Sequence, residues 1–447
     1  METRVDGRSG SSTWGRRRLL GAGVAGAAGI GAAALGASPA AARDEDSDQR
    51  TVYDVTKWRV SGRPGLTAHE DVGAVINDII ADVKRQQPRP DAKPGAAIVI
   101  PPGDYDLRTP VVVDISFLTI AGYGHGFNSL SIRYNVDTAG WTELNPGGSH
   151  VRVLTPSSTA AFSVRRNAAP RLSGIVFRDF CLDGVSFEPD QNSYRNGRTG
   201  IEVSTDNDSL LITGMGFVYL ERALVVRGAD ALRVHDNMIA ECGSCVELTG
   251  AGQATIVSDN LMGAGPNGPT LLAQNHEGLL VTGNNLFPRG RSLIELSGCN
   301  RSSVTANRLQ GFYPGMVRLV DNCKENLVTA NHLRRGVEGF PPFLGVSNGL
   351  DDLFGVMHVR GDNNLISDNL FAFDVPPDRL NPSGAEPTII LVAGGNHNVI
   401  ALNHVIKNVS AQHVVLDAST TRSKVLDSGA EDEITSYTED VAIRPTP

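Results

Sequence analysis

Residues 304–309 read VTANRL and residues 328–333 read VTANHL. In both segments a short apolar strand leads into an asparagine-containing turn, and a second apolar residue follows. This pattern recurs along the chain, and its marker asparagines are Asn237, Asn260, Asn285, Asn307, Asn331, Asn369 and Asn403. The successive spacings are 23, 25, 22, 24, 38 and 34 residues. A period of this size indicates a solenoid, in which each repeat forms one turn of a coil.

The regular spacings match a β-solenoid, in which two or three short strands per coil are joined by sharp corners. Asparagine suits a corner because it tolerates the left-handed backbone conformation and can bond to its own backbone. Stacked coils then place asparagine over asparagine, so that the side-chain amides can form a ladder. The 38- and 34-residue spacings indicate inserted loops. A leucine-rich repeat has a similar period, but its Leu-x-x-Leu-x-Leu signature is absent. The sequence predicts an all-β, single-stranded, right-handed parallel β-helix.

The coil is predicted to begin near residue 97, where residues 97–107 read AIVIPPGDYDL, a strand, a Pro-Gly turn and a second strand. Before it, Thr67 and Glu70 have the spacing of a helix capping box. One helical face follows, formed by Val72, Val75, Ile76, Ile79, Ile80 and Val83. Because the end of a solenoid must hide its apolar interior, we expect this N-terminal helix to cap the coil and to stop at Pro88.

The first 42 residues have the features of an export signal. Residues 16–20 read RRRLL, an apolar Gly/Ala-rich stretch runs to about Leu35, and residues 40–42 are alanines. Paired arginines favour the twin-arginine route, and the stretch is less apolar than a usual membrane anchor. We expect residues 1–42 to be removed on secretion and residues 43–447 to form the catalytic β-helix domain, without a membrane partner.

The charge of the chain limits its partners. The formal net charge is −9, and residues 43–447 carry 35 basic and 47 acidic residues, a charge of −12. A nucleic-acid partner would require a basic surface, and a strongly anionic polymer would be repelled. A neutral substrate fits better.

The cysteines point to buried thiols and not to a metal site. There are five, Cys181, Cys242, Cys245, Cys299 and Cys323. A twin-arginine substrate folds in a reducing compartment, so free thiols in the core are expected. Cys242 and Cys245 resemble half of a zinc site, but no second half follows at a usable spacing. Cys299 and Cys323, one coil apart, are predicted to stack in the core.

Outward-facing charged residues on one strand of successive coils are the first candidates for a sugar site. The triplets around Glu247, Glu295 and Arg318 alternate apolar, polar, apolar, so that all three side chains point out of one face. Glycosyl transfer typically uses two carboxyl groups, one as acid and one as base or stabiliser. The non-functional alternative is a solvated face that carries an ion pair.

Asp236 is ambiguous from the pattern alone. Asp259 and Asp368 occupy the same slot before a marker asparagine, so the pattern favours a turn residue. Two further candidates are weaker still. Residues 124–126 (GHG) resemble the histidine motif of polygalacturonases without its other elements. Residues 206–208 (DND) are the nearest approach to a calcium cluster, but they fit an Asx turn equally well.

Residues 233–250, RVHDNMIAECGSCVELTG, resemble the bacterial inulin fructotransferases, which form difructose anhydrides. The resemblance covers nearly the whole chain after the signal. Further matching stretches are residues 74–82, 100–107, 213–220, 284–292 and 414–421. It implies a right-handed β-helix assembled as a homotrimer, with active sites between neighbouring subunits.

By this resemblance the catalytic carboxylates fall on Asp236 and Glu247, which overrides the interpretation of Asp236 as a turn residue. The implied enzyme is a carbon–oxygen lyase that needs no cofactor or metal. It releases the terminal difructosyl unit of inulin as a cyclic dianhydride, because a hydroxyl of that unit attacks its own anomeric carbon. We expect Glu247 to be the general acid and Asp236 the base or charge stabiliser, with the reverse order open.

The product stays open between difructose anhydride III, which is favoured, and difructose anhydride I. Residues 126–132 depart from the pattern of the III-forming enzymes. Two further possibilities are a fructan hydrolase and a fructan-binding solenoid without activity. A hydrolase would release reducing sugar, whereas a cyclising enzyme would release a non-reducing product.

Overall fold

The structure, a computed structural model, describes residues 51–87, 89, 95–126, 147–167, 169–185, 193–264, 267–288, 291–336, 348–380, 384–428 and 441–444. The predicted export signal, Pro88 and most of residues 126–132 lie outside these described residues. Within them, no helix is both long enough and apolar enough to cross a membrane.

The chain winds through three long parallel sheets, and each coil adds one strand to each sheet. Sheet 1 consists of Val52–Asp54, Ala97–Val99, Thr119–Ala121, Val176–Arg178, Leu211–Thr213, Arg233–His235, Ile256–Ser258, Leu280–Thr282, Ser303–Thr305, Leu327–Thr329, Leu365–Ser367, Val399–Ala401 and Lys424–Leu426. Sheet 2 consists of Gly103–Leu107, Ser149–Val153, Cys181–Asp183, Gly216–Val218, Met238–Cys242, Leu261–Ala264, Asn285–Pro288, Arg308–Gly311, His332–Gly336, Leu370–Asp374 and His404–Lys407.

Sheet 3 completes each coil before the chain returns to sheet 1. Its strands are Val111–Val113, Ala160–Val164, Thr199–Val203, Arg222–Arg227, Ser244–Thr249, Leu271–Gln274, Ile294–Ser297, Val317–Lys324, Met357–Asp362, Thr388–Val392, Gln412–Asp417 and Val441–Arg444. Two-residue strands pair at the corner after sheet 3, namely Leu172–Ser173 with Asn207–Asp208, Gly252–Gln253 with His276–Glu277, and Gly395–Asn396 with Thr420–Thr421. Single 3₁₀ turns occur at Ser193–Arg195, Asp352–Phe354 and Pro377–Arg379. The predicted all-β parallel β-helix is confirmed.

The short strands alternate between core and surface, as period-two strands must. In sheet 1 the central residue of each strand points inward and stacks on the same position of the next coil. Val234, Val257, Val281 and Val304 form such a stack, and all four are fully buried. The core is therefore a column of aliphatic side chains enclosed by the three sheets.

The corner between sheets 1 and 2 carries the predicted asparagine ladder, with one correction. The side-chain amide of each member donates to the side-chain oxygen of the next, from Asn237 through Asn403 to Ser428. The member in the third coil is Asn284, which is buried, and not the predicted Asn285, which begins the next strand and is partly exposed. With Asn284 in place the regular spacings become 23, 24, 23 and 24 residues.

The left-handed backbone was also predicted at the wrong residue. The residue before each ladder asparagine adopts the positive φ, for example 56° at Asp236, 57° at Asp259 and 54° at Ala306. The asparagine itself points inward. Its side chain also donates to a backbone oxygen of an earlier coil, as Asn307 does to Val281. The ladder amides are thus satisfied, which is the condition for placing them in an apolar core.

A second ladder, which the sequence pattern did not reveal, lies at the corner between sheets 3 and 1. Asn326, Asn364 and Asn398 hydrogen-bond to one another at 3.0 Å. Ser302 and Ser423 continue the ladder at its two ends, through backbone-to-side-chain bonds. Two of the three corners are therefore fixed by buried polar side chains.

The predicted capping helix is present as Val72–Gln86, and its six predicted apolar residues are buried. It packs against Gly103–Leu107 and Val111–Val113, strands of the first coil. The capping prediction was wrong in detail, since the N-cap is Asp71, whose carboxylate accepts from the amide of Ala74. Thr67 and Glu70 do hydrogen-bond to each other, but in the turn that precedes the helix. All five cysteines are free and buried, as predicted.

Candidate active site

The outer face of sheet 3 presents one column of side chains in register from coil to coil. The column runs through Glu202, Val225, Glu247, Leu272, Glu295, Arg318 and His358. Neighbouring strands of a sheet lie about 4.8 Å apart, so each step of the column is one strand spacing. Glu247, Glu295 and Arg318 thus share a face, as the alternation in their triplets predicted.

Glu247 lies in the middle of the column and is firmly held. Its carboxylate accepts from the Arg222 guanidinium, with Nε 3.1 Å from both carboxylate oxygens and Nη2 closer to Oε2. The hydroxyl of Ser244 donates to Oε1. The Glu247 side chain is only 17% exposed. The hydrogen bond to Glu247 raises the pKa of Arg222, and the nearby charges of Glu202 and Glu221 act in the same direction.

Glu295 and Arg318 form the second charged pair of the face. Arg318 Nη1 donates to Glu295 Oε2 at 2.7 Å, and both side chains are partly buried. They are adjacent in the column, but Leu272 separates Glu247 from Glu295. Glu247 and Glu295 are therefore two strand spacings, about 10 Å, apart at the backbone. The two acids do not stand side by side; each is paired with an arginine of its own.

His358 extends the column beyond Arg318, and its imidazole stacks edge-on against Phe354 with the ring centres 4.0 Å apart. The side chain is buried, and neither ring nitrogen has a hydrogen-bond partner among the residues that the structure describes. Burial lowers the pKa of His358 to about 4, and the positive charges of Arg318 and Arg360 contribute in the same direction. This histidine is neutral at ordinary pH.

Asp236, the other residue singled out as catalytic, lies at the corner between sheets 1 and 2. Its side chain is 66% exposed, and its Oδ2 lies 2.7 Å from Nδ1 of His235. The left-handed backbone of the corner turns the carboxylate outward, while the following Asn237 points into the core. The two carboxylates thus differ in setting: one is solvent-exposed at a corner, and the other is fixed on a sheet.

Within one chain, the structure does not bring Asp236 and Glu247 together. In a three-sided coil, each corner joins two sides and lies opposite the remaining one. Asp236 lies at the corner that joins sheets 1 and 2, so it lies opposite sheet 3. The buried side chains of Val234, Val246 and Leu248 fill the coil between the two residues. A site that uses both carboxylates on one sugar must therefore take them from two copies of the chain.

Sequence reasoning missed Arg222, Ser244, His235 and His358. Arg222 and Ser244 stand on neighbouring strands in register with each other, so an alignment of sheet 3 strands would have placed both beside Glu247. His235 carries a sequence signal that was overlooked: it stands where Ser258 and Thr282 stand in the next two coils.

The residues considered for metal binding have other partners. Arg171 bonds to Asp208 and Asp230, at 3.0 and 2.8 Å, where a calcium ion would need free carboxylates. The side chain of Asn207 is buried and donates to backbone oxygens. In the described part of the chain, no group of three or more histidine, cysteine, aspartate or glutamate side chains is suited to hold a metal ion.

Two protein-family models and a relative match this chain. The family model described as the β-helix repeat of inulin fructotransferase matches residues 330–447, and the model described as the periplasmic copper-binding protein NosD matches residues 168–339. A DFA-I-forming inulin fructotransferase of Arthrobacter globiformis is 48% identical over 404 residues, which cover 89% of this chain and 99% of the relative.

Solved structures lead to the same group of proteins. A DFA-IIIase from Arthrobacter chlorophenolicus A6, crystallised without its lid in complex with GF2, is 48% identical with a TM-score of 0.80. The match covers 89% of this chain and all of that one. The same DFA-IIIase in complex with DFA-III is 45% identical with a TM-score of 0.79, covering 89% of this chain and 99% of that one.

Proposed function

The chain belongs to the inulin fructotransferase family, and from this membership we propose that it releases the terminal difructosyl unit of inulin as a cyclic difructose dianhydride. A hydroxyl of that unit attacks its own anomeric carbon, and the bond to the rest of the polymer breaks. One carbon–oxygen bond forms for the one that is lost, and no water is consumed. The protein must hold the internal nucleophile in place, accept its proton and supply a proton to the leaving oxygen.

The observation that carries this proposal is the state of Glu247. It is a carboxylate on the outer face of a rigid sheet, oriented by Arg222 and Ser244 and largely shielded from water. A carboxylate fixed in this way can stabilise the positive charge that develops at an anomeric carbon. An ordinary surface ion pair would be mobile and solvated.

The hydrogen bonds around Glu247 also suggest how the two catalytic roles are divided. Both of its oxygens already accept hydrogen bonds, so it is set up as an acceptor and not as a donor. We therefore assign Glu247 to accept the proton of the attacking hydroxyl and Asp236 to protonate the leaving oxygen. This is the reverse of the order that we expected from the sequence.

The positions of the two carboxylates support a shared site in a homotrimer. Asp236 on its exposed corner would face sheet 3 of a neighbouring copy, where Glu247 is fixed. Cyclic assembly repeats one such contact between successive subunits and closes with every site complete. Closing the contact would also exclude water, which favours attack by the internal hydroxyl over hydrolysis.

The Glu295–Arg318 pair is the proposed binding site for the next part of the fructan. It stands on the same outward column as Glu247, about 10 Å away at the backbone, so a fructan chain that lies along the column could contact both. Paired acids and guanidinium groups supply both acceptors and donors for sugar hydroxyls. The partly buried pair keeps a fixed geometry, which a binding site for a neutral chain needs.

The product is proposed as a difructose dianhydride, with anhydride III as the first candidate and anhydride I as the second. The Arthrobacter globiformis relative is DFA-I-forming, and residues 126–132, which depart from the III-forming pattern, lie mostly outside the described residues. A third candidate follows from the DFA-IIIase that was crystallised with DFA-III, namely that this chain opens such an anhydride.

One set of incubations tests these candidates. The purified chain is incubated with inulin and, separately, with DFA-III, and the products are separated by chromatography and assayed for reducing sugar. A non-reducing disaccharide from inulin supports the proposal, and its retention time identifies anhydride I or III. Reducing fructose from inulin, or rapid opening of DFA-III without any cyclic product from inulin, would contradict it.

Secretion through the twin-arginine route is part of the proposal, and it is supported by residues 16–20 and 40–42. We expect the replacement of Arg16 and Arg17 by lysine to keep the enzyme inside the cell. Inulin-cleaving activity in culture medium and in cell extract measures this directly. Equal activity in the medium from both versions would exclude this route.

A further inference from the structure

The strand that leads into Asp236 ends in a histidine. We propose that His235 is a positioning residue for Asp236, which fixes the orientation of this carboxyl group for the reaction. The inference rests on the proposed function, because it assigns a role to Asp236 in the same chemistry. It is carried by a contact, by a comparison between coils and by the exposure of the carboxylate.

The contact is short and specific. Nδ1 of His235 lies 2.7 Å from Oδ2 of Asp236, and Oγ1 of Thr213 approaches the same nitrogen at 3.3 Å from the coil before. Oδ2 can accept a hydrogen bond from Nδ1–H while Oδ1 carries the proton for the leaving oxygen, so the contact assigns the donor role to Nδ1 and leaves Oδ1 for the reaction. The imidazole side chain of His235 is one-third exposed.

The comparison between coils shows that the backbone does not require a histidine here. The same position of sheet 1 is occupied by Thr213 in the coil before and by Ser258, Thr282, Thr305, Thr329 and Ser367 in the coils after. All of these are short hydroxyl side chains, and only His235 is a ring. A hydroxyl residue therefore fits this position without strain.

The aspartates of the same slot isolate the effect of the histidine. Asp259 and Asp368 have φ angles of 57°, against 56° at Asp236, and each follows a serine. The corner geometry is the same at all three. Asp236 differs from them by its histidine neighbour.

The exposure of Asp236 gives the contact its purpose. A carboxylate that is 66% exposed on a corner would otherwise sample several rotamers. Proton transfer needs the donor oxygen within hydrogen-bond distance of the leaving oxygen. A hydrogen bond from a ring that is itself anchored on the sheet selects one orientation before the substrate arrives.

The test compares His235→Ser with His235→Asn in the full-length chain, measuring kcat, KM and the pH profile of kcat on inulin. Serine restores the residue type of the neighbouring coils and removes the donor. Asparagine places an N–H donor near the position of Nδ1. We expect His235→Ser to lower kcat about 100-fold with little change in KM, and to change the acid limb of the profile. We expect His235→Asn to recover most of the loss.

Ser258→Asn, at the equivalent position one coil later, is the matched control and should keep the kcat of wild type. Asp236→Asn tests whether Asp236 itself is needed for the reaction. Melting temperature and oligomeric state show that each variant folds and assembles. If His235→Ser keeps kcat and the pH profile while Asp236→Asn is inactive, His235 has no positioning role and the proposed function stands. Equal losses of kcat in folded His235→Ser and His235→Asn would also contradict the positioning role of His235, because the N–H donor would then not matter. If Asp236→Asn is itself active, the catalytic role proposed for Asp236 fails instead.

Discussion

Asp236 and Glu247 are eleven residues apart in the sequence, yet the core of the coil separates them. Asp236 lies on the corner between sheets 1 and 2, and Glu247 lies on the outer face of sheet 3. Eleven residues are about half a coil, which is enough to carry the chain to the opposite side. Two residues that are close in sequence thus lie on opposite sides of the coil.

This separation predicts complementation between inactive variants. Asp236→Asn and Glu247→Gln should each abolish product formation, since each removes one carboxylate from every site. In mixed oligomers prepared from both, about a quarter of the interfaces regain one native Asp236 and one native Glu247. We expect product formation from inulin to return to about that fraction of wild type.

Asp259→Asn is the control for the corner, because it changes the same slot one coil away. It should retain full activity. Mixed oligomers that stay inactive, although mass spectrometry shows both variants in one assembly, would contradict a shared site.

Because Arg222 fixes the orientation of Glu247, replacing Arg222 should strongly lower activity. In Arg222→Gln the carboxylate keeps only the Ser244 hydroxyl among its two described donors, so it loses its fixed orientation. We expect kcat on inulin to fall about 100-fold, with a smaller change in KM. Arg227→Gln, an exposed position on the same strand, should behave like wild type. Comparable activity in both variants would show that the guanidinium does not matter.

The corrected ladder predicts a sharp difference between two adjacent asparagines. Asn284→Ala removes a buried amide. The backbone and side-chain N–H groups of Asn260 lose the oxygen that accepts from them, and the side-chain oxygen of Asn307 loses one of its two donors. We expect a loss of about 2–3 kcal/mol in the free energy of unfolding. Asn285→Ala should cost less than about 0.5 kcal/mol, because this side chain is partly exposed. Urea denaturation of both variants measures the contrast, and equal losses would refute the assignment of Asn284.

His150 predicts a pH-dependent contribution to stability. Burial by itself lowers its pKa, but hydrogen bonds and charge from Asp183 and Asp104 outweigh this and raise the pKa above 6.5. Because the folded state binds the proton more tightly, the stabilisation is complete below about pH 6.5 and disappears as pH rises through the folded pKa.

The replacement His150→Gln should therefore destabilise the protein most near pH 6 and progressively less toward pH 9. Melting temperatures across this range, with the exposed His332→Gln as control, measure the difference. A gap between wild type and His150→Gln that stays constant with pH would contradict the assignment.

His358 contributes a pH dependence of stability opposite in sign to that of His150. Its pKa is lowered to about 4, so the unfolded chain takes up a proton between about pH 6.5 and 4 while the folded chain does not. Wild type should lose up to about 3 kcal/mol over this window from this group alone. His358→Phe, which cannot be protonated, should show a flatter acid limb in urea denaturation midpoints. An unchanged slope would mean that the ring is hydrated in the folded state.

The sequence was sufficient for the coil because the repeat is local and periodic. A two-residue corner whose second side chain points inward recurs at fixed spacing, and the alternation within each strand assigns the faces. The error at Asn284 and Asn285 arose because two asparagines adjoin at that corner. Only the hydrogen bonds distinguish the inward amide from the first residue of the next strand.

The site could be predicted only in part, because its contacts join residues from different coils. Glu247, Glu295 and Arg318 were found from alternation, but their order in the column depends on Leu272, whose strand lacks a charged residue to draw attention. Arg222 is 25 residues from Glu247, and the length of the intervening chain does not fix which side chains meet. Asp236 occupies the same slot before a ladder asparagine as two turn residues, so this slot alone could not assign it a role.

The ladder between sheets 1 and 2 stays unbroken across the long spacings, since Asn331, Asn369 and Asn403 bond at the same 2.9–3.0 Å as their regularly spaced neighbours. Sheets 1 and 2 therefore accept added loop length without a shift in strand register. Evolution can then alter the inserted loops while it preserves the positions of the side chains in the sheet 3 column. Enzymes that differ in the compound they make or open can share one frame, and laboratory variation of the loops can exploit the same freedom.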